Sequence, residues 1–285
     1  MRFARFGTDR LGLVEADAVR DVTSALDTLP SYRYPLPTGD MLVANLATIR
    51  DRACAIAREA RPSPVSSVQL RSPLANPGKL IAAPLNYQKH LDEVRANADL
   101  HHHNAINTID RTGLFLKATS SLVGAGDGIA LDHLERRTDH EIELAVVIGT
   151  RAKRVSREQA LTVVAGYCVG LDISVRGPEE RSFRKSIDSY TVLGPYLVTA
   201  DEVGSPGDLD LYLTVNGELR QRSNTGDLIL GVPELVAYAS SFYTLHPGDV
   251  ILTGTPEGVG PIHPGDVIEA TIARVGTMVV DVRAA

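Results

Sequence analysis

Glu141-Ile142-Glu143-Leu144-Ala145-Val146-Val147-Ile148-Gly149 is the stretch on which the fold turns. Leu144 to Ile148 is continuously apolar and rich in β-branched residues, so it reads as a central strand buried on both faces. Side chains alternate along a strand, which puts Glu141 and Glu143 on one face. Two like charges side by side repel, and something must compensate them. A solvated sheet face does so in an ordinary strand. In a buried strand the pair holds a cation or shares a proton. Spacing alone leaves these readings open.

Working outward, Gly166 to Ser174 reads as a second apolar strand with one acid in it, Asp172. Its partner is either an arginine such as Arg176 or the two glutamates, in an all-oxygen site. Such a site suits Mg²⁺ or Mn²⁺, with Ca²⁺ next, better than Zn²⁺. Upstream, Lys79 to Ala83 is a short strand, and Asn86 to Glu93 runs from loop into helix. His90 and Glu93 stand at i,i+3 on that helix and share a face. A carboxylate beside an imidazole fixes its tautomer and makes a general base near neutral pH; an exposed surface pair is the plainer reading. Residues 96–113 are polar and irregular and read as a loop. Within it His101-His102-His103 reads as a solvated run, because three adjacent side chains do not converge on one ion from regular structure. Lys117 and Lys185 each follow a phenylalanine by two. Ser156-Arg157-Glu158-Gln159 opens a predicted helix over 157–165, and Pro233 to Phe242 is another. Gly254 to Gly260 lacks the GK[ST] ending of a P-loop. It presents backbone N–H groups to a small anion, or is a tight turn.

The first 72 residues carry no such cluster. Residues 1–22 alternate as short strands, and residues 41–60 keep helical spacing through Leu42, Leu46, Ile49, Ala53 and Ile56. Pro62, Pro64, Pro73 and Pro77 punctuate the chain beyond that helix. The expected organisation is a small N-terminal α/β domain, 1–72, and a larger domain, 73–285. The 285 residues are 44% hydrophobic with a net charge of −6, an ordinary globular composition that excludes disordered and collagen-like chains. No run approaches the ~18 apolar residues of a membrane span, and no basic cluster suggests nucleic acid. Cys54 and Cys168 are too few for a disulfide framework, and read as two buried thiols in a reducing cytoplasm. Many strands with few helices point to an α+β fold.

In order along the chain, these pieces resemble the fumarylacetoacetate hydrolase family. The resemblance runs over residues 79–282. It rests on Asn86-Tyr87-Gln88-Lys89-His90-Leu91-Asp92-Glu93, Phe115-Leu116-Lys117, Glu141-Ile142-Glu143-Leu144, Asp172-Ile173-Ser174, Lys185-Ser186-Ile187-Asp188, Asn216-Gly217-Glu218 with Gln221, Leu245-His246-Pro247-Gly248-Asp249, and Thr253-Gly254-Thr255-Pro256-Glu257-Gly258. It implies a mixed β-roll catalytic domain and a homodimer. Glu141, Glu143 and Asp172 match the metal ligands, for Mg²⁺ or Mn²⁺. His90 and Glu93 match an acid–base dyad carried on a lid, and Lys185 a catalytic lysine. Tyr87, Lys117, Gln221, Gly254 and Thr255 match substrate-binding positions. Pro84-Leu85, Ile142, Leu171 and Gly177 depart from the usual pattern without removing a ligand or a dyad member. The implied activity is hydrolysis of a C–C bond in a small 1,3-dioxo acid, of acylpyruvate or fumarylacetoacetate type, through a metal-stabilised enolate. Decarboxylation of an oxaloacetate-type acid, or isomerisation of a 2-hydroxydienedioate in aromatic catabolism, are the alternatives on the same site.

Overall fold

The structure is a computed structural model that describes residues 1–102 and 106–285. Its fold is mixed α+β, with three sheets and few helices among the described residues. Strand Ile142–Ile148 lies inside the largest sheet, between Val164–Asp172 and Val250–Leu252. Every residue of it is buried. Period two splits it between two cores. Ile142, Leu144, Val146 and Ile148 face the larger core, together with Leu211, Leu213, Ile268, Ile272 and Val280 of a five-stranded sheet. Ala145 and Val147 face a second core with Phe3, Leu11, Ile49 and Ala53. This double coverage is why the strand is apolar throughout.

The N-terminal segment supplies that second layer. Strand Arg2–Phe6 pairs with Thr191–Thr199, so residues 1–72 extend the same sheet. Helix Leu46–Ala57 buries Ile49, Ala53 and Ala57, one stripe at i, i+4 and i+8. Asp40 caps the preceding short helix Met41–Ala44, accepting from Leu42 and Val43 N–H, and takes Ala75 and Asn76 N–H on its other oxygen. Cys168 is buried, but Cys54 is exposed on the outer face of the helix: of the two expected buried thiols, one is.

Two local expectations change. The capping-box sequence at Ser156 starts no α-helix; only a 3₁₀ turn forms, Ala160–Val163, before strand Val164–Asp172 takes over. The segment expected to be loop from 96 to 113 carries short helices Ala98–His101 and Ile109–Thr112, with Leu100 and Ile109 buried. Leu100, Val94 and Val259 form a small cluster separate from the main cores. Helix Val232–Phe242 forms as read. Among the described residues no helix is long and apolar enough to cross a membrane.

Candidate active site

Register assembles the acids. Glu143 lies opposite Gly170 and Ile142 opposite Leu171, and the Asp172 N–H donates to Glu141 O at 2.9 Å. Glu141 and Asp172 therefore meet across the strand pair, with Glu143 two residues along. Oxygens of Glu141, Glu143 and Asp172 lie within 4.8 Å of one another, and all three residues are buried. A hard cation with ~2.1 Å bonds holds its ligands roughly 3–4 Å apart, so small side-chain shifts close this all-oxygen set around one ion. The donors fit Mg²⁺, Mn²⁺ or Ca²⁺.

Cations already stabilise two of the acids. Lys185 Nζ donates to Glu141 Oε2 and Asp172 Oδ2, both at 2.6 Å. Arg176 donates from Nη2 to Glu141 Oε1 and from Nε to Asp139 Oδ2, both at 2.8 Å. Lys117 donates to Asp172 Oδ1 and to the Tyr190 carbonyl. Arg176 is thus the partner of Glu141 and Asp139, while Asp172 is held by two lysines. Burial pushes the Glu141 carboxyl up, but Lys185 and Arg176 outweigh it and hold the group below the usual carboxylate range. Glu143 accepts only the Gly254 N–H, at 2.6 Å, and has no cation at ion-pair distance among the described residues. Burial, then the nearby Asp172 charge, pushes its carboxyl well above the usual range. A divalent ion would supply the missing countercharge.

His90 faces this cluster from helix Gln88–Ala96. It is buried, and Nδ1 bonds Glu93 Oε2 at 2.8 Å. Glu93 Oε1 accepts the Gly258 N–H at 3.0 Å. That leaves Nε2 without a protein partner among the described residues. The exposed-pair reading therefore does not apply. A cavity of about 310 Å³ is lined by His90, Glu141, Glu143, Asp172, Lys185 and Thr255 among others.

Other expected substrate contacts sit behind this wall. Lys117 is fully buried beneath Asp172. Tyr87 is buried off the cavity lining, where burial and the neighbouring Glu143 raise its hydroxyl pKa. Gln221 accepts the Ile142 N–H at 3.1 Å and donates to Thr255 Oγ1 at 2.8 Å, which orients the threonine without reaching the cavity. Gly254 spends its N–H on Glu143. The glycine-rich stretch does present N–H groups to acceptors, but those acceptors are the chain's own Glu143 and Glu93 carboxyl groups. Gly258 has φ +90°, and a Cβ there would stand 2.1 Å from the Arg220 carbonyl oxygen; glycine is needed.

The histidine run is only partly as read. His101 is half-buried and lines the cavity; His102 ends helix Ala98–His101 in a left-handed conformation; His103 lies outside the described residues. Sequence reading missed Asp139 and the Arg176 bridge. The signal was present, since Asp139, Glu141 and Glu143 repeat at intervals of two. It also gave no role to Asn86, which donates to the Leu230 and Thr253 carbonyls and accepts the Leu230 N–H, tying the start of the His90 helix to the Gly254 turn.

The family model described as fumarylacetoacetate (FAA) hydrolase C-terminal matches residues 79–283. Over 285 residues the chain is 58% identical to the maleylpyruvate hydrolase of Aquipseudomonas alcaligenes, covering 99% of each protein. It is 35% identical over 228 residues to a mitochondrial oxaloacetate tautomerase of Rattus norvegicus, covering 76% of this chain and 70% of that one. Among solved structures, maleylpyruvate hydrolase from Sphingobium sp. SYK-6 in complex with manganese(II) ion and pyruvate is similar at a TM-score of 0.84 and 40% identity, over the whole of both chains. With a match across most of its length and a relative this similar from end to end, the chain belongs to the fumarylacetoacetate hydrolase family.

Proposed function

We propose that the protein hydrolyses a C–C bond in a small 1,3-dioxo acid of the acylpyruvate type, with maleylpyruvate the first substrate to try. The observation that carries the reading is one cavity that His90, Lys185 and the three carboxylates share. Similarity to the two maleylpyruvate hydrolases supports it.

Glu141, Glu143 and Asp172 would hold the divalent ion, Mn²⁺ or Mg²⁺, which when bound supplies Lewis acidity to the substrate oxygens. Glu93 accepts from Nδ1 of His90 and so fixes the tautomer with a basic Nε2. Nε2 takes a proton from a water in the cavity, and the oxygen adds to the distal acyl carbon. The bond from that carbon to the methylene then breaks, and its electron pair leaves with the oxo-acid fragment. Lys185 has three N–H donors, two of them on Glu141 and Asp172; the third carries part of the developing charge from a fixed position. His90 returns its proton to the methylene carbon. The products are a carboxylate and an oxo acid such as pyruvate. In this reading Thr255, set by Gln221, contacts substrate, residues 73–285 carry the chemistry and residues 1–72 brace the sheet. Helices Gln88–Ala96, Ala98–His101 and Ile109–Thr112 form the lid, held by the small Val94–Leu100–Val259 cluster. The working form is a cytoplasmic homodimer, as the family resemblance implies.

The test is an assay of EDTA-treated protein on maleylpyruvate, acetylpyruvate and oxaloacetate, with and without Mn²⁺ or Mg²⁺. Metal-dependent release of pyruvate from an acylpyruvate is the expected result. CO₂ release or keto–enol conversion of oxaloacetate alone would overturn it.

A further inference from the structure

Four cations line the cavity: Arg176, Arg181, Arg184 and Lys185. Three are committed to protein groups. Arg176 bridges Asp139 and Glu141, Lys185 bridges Glu141 and Asp172, and Arg184 donates to the Glu179 and Val175 carbonyls. Arg181 differs. Among the described residues its guanidinium makes no hydrogen bond and no ion pair. Its Cζ stands 5.6 Å from the centroid of the Phe115 ring.

The nearby acids do not serve it. Glu179 is held by Arg136, and Glu180 turns its carboxylate onto the Ser182 N–H at 2.6 Å to cap the short helix that carries Arg181. Burial lowers the Arg181 pKa against the pull of Glu141, Glu180 and Asp172. Arg181 is half-buried, and a cation partly withdrawn from water without a partner costs free energy. An anionic ligand would remove that cost. The geometry is suited to one. The Phe115 ring takes none of the guanidinium's N–H donors in a hydrogen bond, so the N–H fork stays available to an anion. Lys185 Nζ stands 5.7 Å from the centroid of the same Phe115 ring. Arg181 and the acid triad thus line one cavity, with Phe115 beside both Arg181 and Lys185.

We propose that Arg181 is the specificity-determining residue for a second carboxylate, so that the site selects dicarboxylate oxo acids over monocarboxylate ones. The oxo-acid end lies at the acid triad and Lys185, and the distal carboxylate meets the Arg181 fork in a bidentate, charge-assisted pair. The proposal rests on the hydrolase reading for the reaction, but Arg181 is assigned by its own geometry.

The test compares wild type, Arg181→Met and Arg181→Lys. Methionine keeps an apolar stem against Phe115, and thermal unfolding of each variant reports folding. With Mn²⁺ present, kcat/KM is measured for maleylpyruvate, a diacid, and for acetylpyruvate, a monoacid. The diacid-over-monoacid preference is expected to fall by ~30-fold or more in Arg181→Met, the scale of losing one member of a desolvated charge pair. Arg181→Lys should restore part of it, since a point charge lacks the fork. Calorimetry with maleate and with crotonate provides a readout without turnover. Maleate binding that is weakened in Arg181→Met, with crotonate binding much less affected, supports the assignment. An unchanged preference and unchanged maleate affinity in a folded variant would overturn it. If wild type cleaves neither keto acid, the hydrolase reading falls, and the calorimetric arm still decides Arg181.

Discussion

Replacing Arg176 with methionine tests how the acid cluster is held. Its guanidinium donates at 2.8 Å to both Asp139 and Glu141, and all three residues are buried. Methionine fills similar volume, so the loss is electrostatic. Breaking a buried pair by removing one partner costs roughly 3–5 kcal/mol, because a charge is left uncompensated. Asp139 keeps Arg137 and Glu141 keeps Lys185, so the lower part of that range applies. For a chain this long, ~3 kcal/mol lowers Tm by about 6–12 °C. The pH dependence has a defined sign. Arg176 helps hold Glu141 below its ordinary 4.5, so its stabilisation is fully present above the unfolded value and is lost as pH falls through the folded one. The gap between wild type and variant is therefore widest near neutrality, begins to narrow below about pH 4.5 and closes only below the folded value. Differential scanning calorimetry at pH 7 and pH 4 measures it, in metal-free protein and again with saturating Mn²⁺. The ion should narrow the gap, because it supplies Glu141 with another positive neighbour. A variant as stable as wild type at pH 7, or a gap that widens in acid, would refute the reasoning.

Asp172→Asn should weaken Mn²⁺ binding by ~10²-fold or more, since even loss of an outer-shell partner costs 10–100-fold; unchanged affinity by calorimetry would remove Asp172 from the ligand set. His90→Ala should keep Mn²⁺ affinity while turnover falls by roughly 10²–10⁴-fold, the range for a general base; wild-type turnover would end that role. Metal-free Glu143 carries its proton well above the usual carboxylate range, so Mn²⁺ uptake should expel a proton and weaken as pH falls. Calorimetry in buffers of different ionisation enthalpy reads that proton, and Glu143→Gln should abolish its release; proton-independent uptake by wild type would contradict the assignment.

Much of this protein is legible along the chain. The continuous apolar run after Glu143 marks a strand with a core on each face, and two such cores are present. Alternation puts Glu141 and Glu143 together, and helical spacing puts His90 against Glu93. These are short-range facts that the backbone period decides. The ordered motifs then carry the family.

What lies far apart in sequence needed the tertiary structure. Strand register alone brings Asp172 to Glu141, and a slip of one residue would turn its side chain to the other face. Which cation serves which acid was equally hidden. Arg176 sits four residues past Asp172 yet bonds Glu141 and Asp139, while Lys117 reaches Asp172 from 55 residues away. Lys117, Tyr87 and Gln221 are functional-looking polar residues, but depth below the cavity wall decides what they touch, and burial depth has no local sequence signature. The same holds for the glycines at 254 and 258, whose N–H groups serve Glu143 and Glu93, and for Arg181, whose lack of a hydrogen-bond or ion-pair partner among the described residues is visible only once the neighbouring carboxylates have been placed.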